Sequence, residues 1–342
     1  MSEREVILRS TPATVSWGWI AADRAPVARV KSGQRLRIET VTHQGLNTDQ
    51  DPVALFGAAG IAPGEVLSDA VEIYRKVRRG EGAGPHLLTG PVYVEGAQPG
   101  DLLEVRVLEV AIRVPYGINA TGPGRGAVPD LLAQAAQKVI RLDLERGVAL
   151  FTRSVEVPLA PFMGIMAVAP PAELKRVSTK PPGAFGGNLD FRHLVAGSTL
   201  YLPVFNDGAL FYTGDGHACQ GDGEVDGTAI EISLTPTVQL IVRKGYRPGV
   251  DSYSAFLEAD RKTSTGLAAW LRELAIRRLW FCGLATDFCV GWSALDARAA
   301  GFEAVVIEDA CRAIDLNGSL EAAWKQMAAA GVGRVRSDAL AL

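Results

Sequence analysis

Two short stretches of the chain bring together side chains that bind metals or transfer protons. "GGNLD" offers Asn188 and Asp190 on a turn. "TGDGHACQGDGE" offers Asp215, His217 and Glu224 among glycines that let the backbone approach a ligand closely. The Asp-x-His spacing places two ligands on the same side of an extended chain. Such a set suits zinc or another divalent ion with an open position for water, from which Glu224 could accept a proton.

The same spacing also allows a simpler interpretation, a solvated β-turn that binds no ligand. The chain has four histidines, His43, His86, His193 and His217, so a site with three histidines would use most of them. His193 lies in "DFRHLVAG" and is predicted to be a surface or capping residue.

A different chemistry is indicated by Cys289 in "GLATDFCVGWSALDA". A short apolar strand precedes the pair Thr286-Asp287, which is predicted to cap a helix with Cys289 in its first turn. The amino-terminal end of a helix lowers the pKa of a thiol and favours the nucleophilic thiolate. Such a cysteine also needs a base with a carboxylate partner, and without them it is a chemically idle buried thiol. Cys282 and Cys311 are predicted to be plain core residues.

Residues 1 to about 243 alternate between apolar and polar side chains with a period of two. In "QRLRIET", for example, Leu36 and Ile38 fall on one face and charged residues fall on the other. Alternation between turn signals such as "QPGD" and "FNDG" predicts antiparallel strands with one solvated face, hence a sandwich or barrel. In this segment a helix is expected only near residues 66–79.

From Lys244 onward the pattern changes to alternating helices and strands. "STGLAAWLREL" has helical spacing and "RLWFCGLA" is a short apolar strand. There follow a helix over 289–300, a strand over 303–310, a helix from Ser319 to Gly331 and a last strand, "GRVRS". This order predicts parallel strands with right-handed crossovers. The expected class is α+β overall, with a mostly antiparallel β-sandwich over 1–243 and a partial α/β domain with a short parallel sheet over 244–342.

Composition excludes several classes of protein. A net charge of −3 gives no electrostatic reason to expect nucleic acid or an anionic membrane. Four irregularly spaced cysteines do not fit a disulfide framework or a CxxC zinc site. No apolar run is long enough for a membrane span, and "MSEREVILRS" has no apolar signal core. We therefore expect a cytoplasmic protein that binds neither nucleic acid nor membrane.

Residues 1 to about 243 resemble the acetamidase/formamidase family along their whole length. The resemblance rests on "HLLTGPVYVEGAQPGDLLEV", "VPYGINATGPG", "TPTVQLIV" and "GGNLDFRHLVAGSTLYLPVFNDGALFYTGDGHACQGDGEVDGTAIE". The family has a β-sandwich fold, hydrolyses short carboxamides to acid and ammonia, and is associated with a metal site. The resemblance implies that Asp190, Asp215 and His217 are metal ligands or their neighbours and that Glu224 is the acid/base. It places His86 near the site, and Asn188 is predicted to bind substrate.

Residues 244–342 resemble the nicotinamidase branch of the isochorismatase-like hydrolases. The matching stretches are "RKGYRPGVDSYSAF", "GLATDFCVGWSALDARAAGFEAVVIEDACRAID" and "GSLEAAW". That family uses an Asp–Lys–Cys triad, to which Lys244 and Cys289 correspond. The backbone N–H groups of Ala285 and Cys289 match its oxyanion hole, with a cis peptide expected before Ala285.

Only the second half of the nicotinamidase pattern is present. No "DxQxDF"-like strand that would carry the catalytic aspartate exists upstream, and the metal cluster of that half is missing as well. A partial parallel sheet is expected to leave apolar strand surface uncovered, and its unpaired edges favour association between copies. Cys289 is accordingly expected to be a nucleophile without its base.

The sequence thus favours metal-dependent hydrolysis of small carboxamides by the β-rich segment, with a divalent metal, preferably zinc, as cofactor and a small amide as substrate. Two alternatives remain open. One is nicotinamidase-type hydrolysis by Cys289 and Lys244, and the other is a catalytically inactive chimeric chain.

Overall fold

The computed structural model describes residues 5–46, 50–130, 133–243, 253–258, 261–262 and 264–339. The chain divides into two compact units, Met1–Val242 and Arg243–Leu342. The division falls at the carboxyl end of a long strand, within "TVQLIVRKG".

The first unit is built mainly from strands. Within the described residues they are β1 (Val6–Leu8), β2 (Val15–Trp17), β3 (Trp19–Ala21), β4 (Ala28–Val30), β5 (Arg35–Ile38), β6 (Leu87–Val94), β7 (Leu102–Ile112), β8 (Tyr116–Thr121), β9 (Ala136–Asp143), β10 (Val148–Leu150), β11 (Glu156–Pro158), β12 (Phe162–Ala167), β13 (Arg176–Ser178), β14 (Gly186–Asn188), β15 (Thr199–Pro203), β16 (Phe211–Cys219), β17 (Ile230–Glu231) and β18 (Leu234–Arg243). Two helices accompany them, α1 (Pro52–Ala58) and α2 (Ser68–Lys76).

Among the described residues these strands form two large sheets and one small one. One sheet has the order β1-β5-β18-β7-β15. The larger has the order β11-β10-β9-β8-β17-β16-β12-β14, and β6 joins it by pairing with β16, β2 and β4. β3 and β13 form the small sheet. Most neighbours are antiparallel, with parallel pairing between β1 and β5 and between β4 and β6.

The core lies between the two large sheets, because one apolar cluster contains side chains from both. Leu36 and Ile38 of β5 are fully buried there together with Ile165 and Phe211 of the larger sheet. The burial of β5 alternates as its sequence predicts, with the two arginines outside. Burial of each such aliphatic side chain contributes about 1.5–3 kcal/mol relative to exposure. The predicted mostly antiparallel sandwich is confirmed.

The helices of the first unit correct one expectation. α2 occupies the predicted stretch and buries Ala70 and Ile73. α1 was not predicted, so the expectation of a helix only near residues 66–79 is wrong. The signal for α1 is Asp51-Pro52: Asp51 Oδ1 accepts a hydrogen bond from Val53 N at 2.8 Å, and proline fits the first turn of a helix.

The second unit has the predicted alternation. Its described helices and strands are α3 (Leu267–Glu273), β19 (Arg278–Leu284), α4 (Gly291–Ala299), β20 (Glu303–Arg312), α5 (Ser319–Ala329) and β21 (Gly333–Val335). β19, β20 and β21 form a parallel sheet in that order, and a separate apolar cluster packs against it. The short parallel sheet, and with it the α+β class, is confirmed.

β19 lies at an edge of this sheet and is poorly covered. Trp280 is 47% exposed and Leu284 is 73% exposed, although both belong to the apolar run "RLWFCGL". Cys311 is buried as predicted, but Cys282 is exposed, so its prediction as a core residue is wrong. The physical reason is that, among the described residues of this unit, no element covers that face of β19.

None of the helices in the described part of the chain combines the length and the apolar character that a membrane span requires.

Candidate active site

β16 positions two of the predicted ligands. All nine of its residues are buried, with β12 paired along one side and β6 and β17 paired along the other. Asp215 and His217 are separated by one residue on this strand, and both side chains are buried. The ring of His217 stacks on Phe162 of β12, with 4.9 Å between the centroids. The strand therefore holds a carboxylate and an imidazole inside the protein, where unpaired polar groups are costly.

Asp190 joins them from the segment that follows β14. Its backbone N–H donates to Gly164 O at 3.1 Å, which ties the segment to β12. A methyl group added at Gly164 would lie 2.5 Å from Asp190 Oδ1, 2.7 Å from His217 Cε1 and 2.8 Å from Asp215 Oδ2. Three side chains from two elements, β16 and the segment after β14, thus converge over one glycine, and sequence reasoning did not single that glycine out.

Glu224 lies on the loop after β16, next to this cluster. The ligand atoms of Asp190, His217 and Glu224 all lie within 4.8 Å of one another. Gln220 Nε2 donates to Glu224 Oε2 at 2.5 Å and orients the carboxyl. Burial raises the pKa of Glu224 to about 7, and the hydrogen bond from Gln220 opposes that rise. A carboxyl with such a pKa can both accept and return a proton near neutrality.

His86 lies beside Asp215, as the sequence indicated. Its Nε2 is 3.7 Å from Asp215 Oδ2, and its Nδ1 is 3.0 Å from Thr179 Oγ1. Asn188 ends β14 close by in sequence, and its buried Oδ1 has no hydrogen-bond partner among the described residues. The first-unit residues chosen from sequence therefore belong to one region of the fold.

Two further members of the cluster were missed. His43 Nδ1 lies 3.7 Å from Asp215 Oδ1 and 3.2 Å from Glu231 Oε2, and both residues are buried. The loop that carries His43 has no recognisable motif. Glu231 was overlooked because it falls in an alternating strand pattern, but β17 pairs it directly with His217. The sequence signal that could have identified Glu231 is a charged residue on an otherwise apolar face of a strand.

Burial and crowding shift the pKa values of this cluster in a consistent way. Burial, together with the charge of Asp215, raises the pKa of Asp190 to about 9 and that of Glu231 well above its usual value. Burial also lowers the pKa of His43 to about 3. Burial opposes ionisation of Asp215 too, but the surrounding imidazoles outweigh it and lower its pKa. His43 and His217 therefore remain neutral, which is the state in which imidazole binds a metal ion, whereas Asp190 and Glu231 must release a proton before their carboxylates can bind one.

The donor set fits a divalent ion. Among the described residues, several buried polar atoms of this cluster have no hydrogen-bond partner: His43 Nδ1, Asp190 Oδ1, Asp215 Oδ1 and His217 Nδ1. Buried polar atoms are rarely left unpaired, so their clustering indicates that a bound group satisfies them. Imidazole nitrogens with carboxylate oxygens are ligands that zinc accepts.

A cavity of about 830 Å³ adjoins Glu224. Its wall includes Gln220 and the apolar side chains of Phe151, Val157 and Ile230. A cavity of this size can hold a ligand much larger than formamide.

The candidate catalytic residues of the second unit do not form a comparable cluster among the described residues. Cys289 is partly exposed and lies in a π-helical turn, Thr286–Val290, ahead of α4. The predicted cap is wrong, because Asp287 instead accepts hydrogen bonds from the backbone N–H groups of Ile314 and Asp315. The peptide before Ala285 is cis, as expected. Lys244 lies outside the described residues, and within them the thiol of Cys289 makes no hydrogen bond and joins no metal-binding cluster.

The relationship of the first unit to known proteins follows from its sequence. A sequence model of the acetamidase/formamidase family matches residues 21–180 and 175–266, which is more than half of the chain. The chain belongs to the acetamidase/formamidase family. It is 29% identical to the formamidase of Methylophilus methylotrophus over 197 residues, covering 41% of this chain and 47% of the relative. A predicted acetamidase/formamidase from Thermoanaerobacter tengcongensis has a similar fold, with a TM-score of 0.56, 27% identity and coverage of 71% and 72% of the two chains.

The carboxyl-terminal part matches a second family. A model of the isochorismatase domain covers residues 229–338. Over 102 residues the chain is 59% identical to the nicotinamidase of Acinetobacter baylyi, covering 30% of this chain and 48% of the relative. The predicted combination of an acetamidase/formamidase part with the carboxyl-terminal half of a nicotinamidase-like domain is confirmed. The chain spans about half the length of the curated relatives that it matches.

Proposed function

We propose that this member of the acetamidase/formamidase family hydrolyses carboxamides to carboxylic acid and ammonia at the cluster around Gly164. The observation that carries the proposal is the convergence of Asp190, Asp215 and His217 over that glycine, with Glu224 beside them. Small amides such as formamide and acetamide are the simplest substrates of this class, in keeping with the relatives' names.

Asp190, Asp215 and His217 are the residues that would hold a divalent ion. When bound, such an ion polarises a carbonyl oxygen and lowers the pKa of water. His43, His86 and Glu231 surround Asp215 and keep its carboxylate in place. Zinc is our preferred ion, because the set combines imidazole with carboxylate ligands.

Glu224 is the proposed proton carrier. Its pKa of about 7 allows it to take a proton from the attacking water at neutral pH and to deliver that proton to the amide nitrogen, which leaves as ammonia. Gln220 fixes one oxygen of this carboxyl through its hydrogen bond, so the other oxygen is the one that exchanges the proton. The neighbouring cavity supplies space for the acyl group.

Asn188 is the proposed substrate contact. Its buried Oδ1 has no partner among the described residues and can accept a hydrogen bond from an amide N–H. This contact would orient the amide plane so that the carbonyl carbon faces the attacking water. Orientation of this kind lowers the barrier because the substrate is held close to the reactive geometry.

The test compares variants in the two units. Asp215→Asn and His217→Ala should each lower ammonia release from formamide and acetamide by about 100-fold or more, since several kcal/mol of transition-state stabilisation is lost. Cys289→Ala is the matched control from the other unit and should leave the rate unchanged. Far-ultraviolet circular dichroism confirms that each variant is folded. Full activity in the folded His217→Ala protein would refute the proposal.

A cysteine hydrolase at Cys289 is the second candidate, supported by the strong local identity to a nicotinamidase. It requires a base at Cys289, and Lys244 is the residue that the family resemblance nominates. Ammonia release from nicotinamide that is lost in Cys289→Ala and retained in His217→Ala would transfer the function to the second unit. If the folded, metal-supplied chain releases no ammonia from any of these amides, the inactive-chain alternative stands.

A further inference from the structure

Arg125 is an exposed arginine on the wall of the same cavity that Glu224 lines. Among the described residues, no hydrogen bond or ion pair reaches its guanidinium. The other arginine on this wall, Arg192, is engaged: it donates to Gln220 O at 3.3 Å and lies 3.5 Å from Asp222 Oδ1. Arg125 is thus the uncommitted cation in the described lining of the cavity.

The loop that carries Arg125 is fixed against the loop that carries Glu224. Gly124 N donates to Pro129 O at 3.0 Å and closes the first loop on itself. Ala127 N donates to Val225 O at 2.9 Å and joins it to the residue after Glu224. The two loops are thereby held together by backbone hydrogen bonds, so Arg125 has a defined position beside the proposed acid/base.

The charges around the cavity are unevenly distributed. Asp190, Asp215, Glu224 and Glu231 make the buried cluster rich in carboxyl groups. On the described wall of the cavity the carboxylate of Asp222 is paired with Arg192 and that of Asp226 accepts a hydrogen bond from Asn119 Nδ2, whereas Arg125 contributes an unpaired positive charge. A substrate carboxylate would be repelled by the cluster and attracted by the guanidinium. An amide that carries a carboxylate at its other end would therefore be oriented with its amide group toward Glu224.

We propose that the cavity binds short monoamides of dicarboxylic acids and that Arg125 binds their free carboxylate. This rests on the proposed amide hydrolysis and names its preferred substrate class. Guanidinium matches carboxylate geometry with two parallel hydrogen bonds, which gives orientation as well as affinity. The apolar side chains of Phe151 and Val157 suit the methylene groups between the two ends.

The backbone hydrogen bond from Ala127 N to Val225 O places the loop of Arg125 next to the loop of Glu224. A short spacer of one or two methylene groups is therefore expected between the amide and the carboxylate. In the reaction, water adds to the amide carbonyl carbon, the C–N bond breaks, and nitrogen leaves as ammonia with a proton from that water. Succinamate and water give succinate and ammonium.

The test uses a matched pair of substrates on the full chain with metal supplied. Succinamate and butyramide have similar length, but only succinamate carries a carboxylate. Arg125→Gln should lower kcat/KM for succinamate by about 10-fold to 100-fold, the value of a charge-assisted pair, through KM. Butyramide should be unaffected, and Arg125→Lys should restore part of the loss. Arg146→Gln, which removes a surface arginine paired with Glu156, is the control.

Two kinetic outcomes would overturn the assignment. An equal loss with both substrates would mean that Arg125 acts on the amide group, and no loss with succinamate would mean that it does not bind the carboxylate. Succinate binding, measured by calorimetry, separates this inference from the proposed function. If no amide is hydrolysed but Arg125→Gln weakens succinate binding about 10-fold, the proposed carboxylate site is supported and the proposed hydrolysis is refuted. If succinate binds equally to both proteins, or to neither, the carboxylate site fails.

Discussion

At the scale of single residues, Gly164 determines how much room the candidate site has. It lies on β12 beneath Asp190, Asp215 and His217 and leaves no space for a side chain. Its backbone is not in the left-handed region, so alanine fits the conformation of the strand, and the atoms nearest to its added methyl group belong to the three functional side chains. The absence of a side chain at Gly164 therefore gives the site its room.

Gly164→Ala should produce a folded protein with an impaired site. The added methyl group must displace Asp190, His217 or Asp215 by a large fraction of an ångström, and displacements of about 1 Å can cost about 100-fold in rate. Metal content after dialysis should fall together with ammonia release, and the far-ultraviolet spectrum should be unchanged. Gly57→Ala is the control, because a methyl group added there on α1 meets no atom within 4 Å. This variant should leave the free energy of unfolding unchanged or raise it by up to about 1 kcal/mol. Retention of full activity and metal by Gly164→Ala would contradict this account of the site.

Sequence reasoning found the part of the site that has chemical motifs. Asp215, His217 and Glu224 were visible because polar residues and glycines interrupt a buried strand. His43 and Glu231 were not, because their nearness to Asp215 arises only when β17 and the loop after β5 are packed against β16. Gly164 was missed for a related reason: its importance depends on which side chains lie above it.

At the scale of helices and strands, period-two alternation located strands such as β5, β7 and β18. It could not locate β12, which is buried on both faces and reads as an unbroken apolar run. The three-residue strands β2, β3, β4 and β13 are too short to show a period. The cap of α1 was not predicted. The cap predicted from Thr286-Asp287 is wrong, because Asp287 accepts hydrogen bonds from Ile314 N and Ser319 Oγ, just before and at the start of α5.

The exposed edge of β19 has a measurable consequence. Among the described residues β19 pairs only with β20, so its other edge presents free backbone groups beside Trp280. Such an edge promotes pairing between copies, and a charged side chain opposes it. Trp280→Lys should reduce self-association in sedimentation velocity at matched concentrations. Leu174→Lys, at a 52% exposed position in the first unit, should not. Equal association of the wild type and both variants would show that β19 is not the contact.

At the scale of the whole molecule, the chain combines parts of two hydrolase families, each matched over about half the length of its curated relatives. The first unit retains a large sandwich core, whereas the second retains a three-stranded sheet in its described residues. Apolar side chains that stay exposed, such as Trp280 and Leu284 of β19, reduce the apolar surface that is buried on folding.

We therefore expect the chain to be less stable than the relatives that it matches in either family. Differential scanning calorimetry should give a midpoint within or below the range of about 45–65 °C that is usual for mesophilic domains. Association through exposed strand surface should make the transition dependent on concentration. A monodisperse monomer that melts cooperatively above roughly 80 °C is the opposite result, since such a midpoint lies well above that range.

The most direct test of the central claim is ammonia release from formamide before and after removal of metal from the full chain. We predict that a chelator abolishes the release, that added zinc or another divalent ion restores it, and that alkylation of cysteines has little effect. These results would follow if Asp190, Asp215 and His217 hold the ion and Glu224 carries the proton. Ammonia release that is insensitive to the chelator but lost on alkylation would contradict the claim and place the reaction at Cys289.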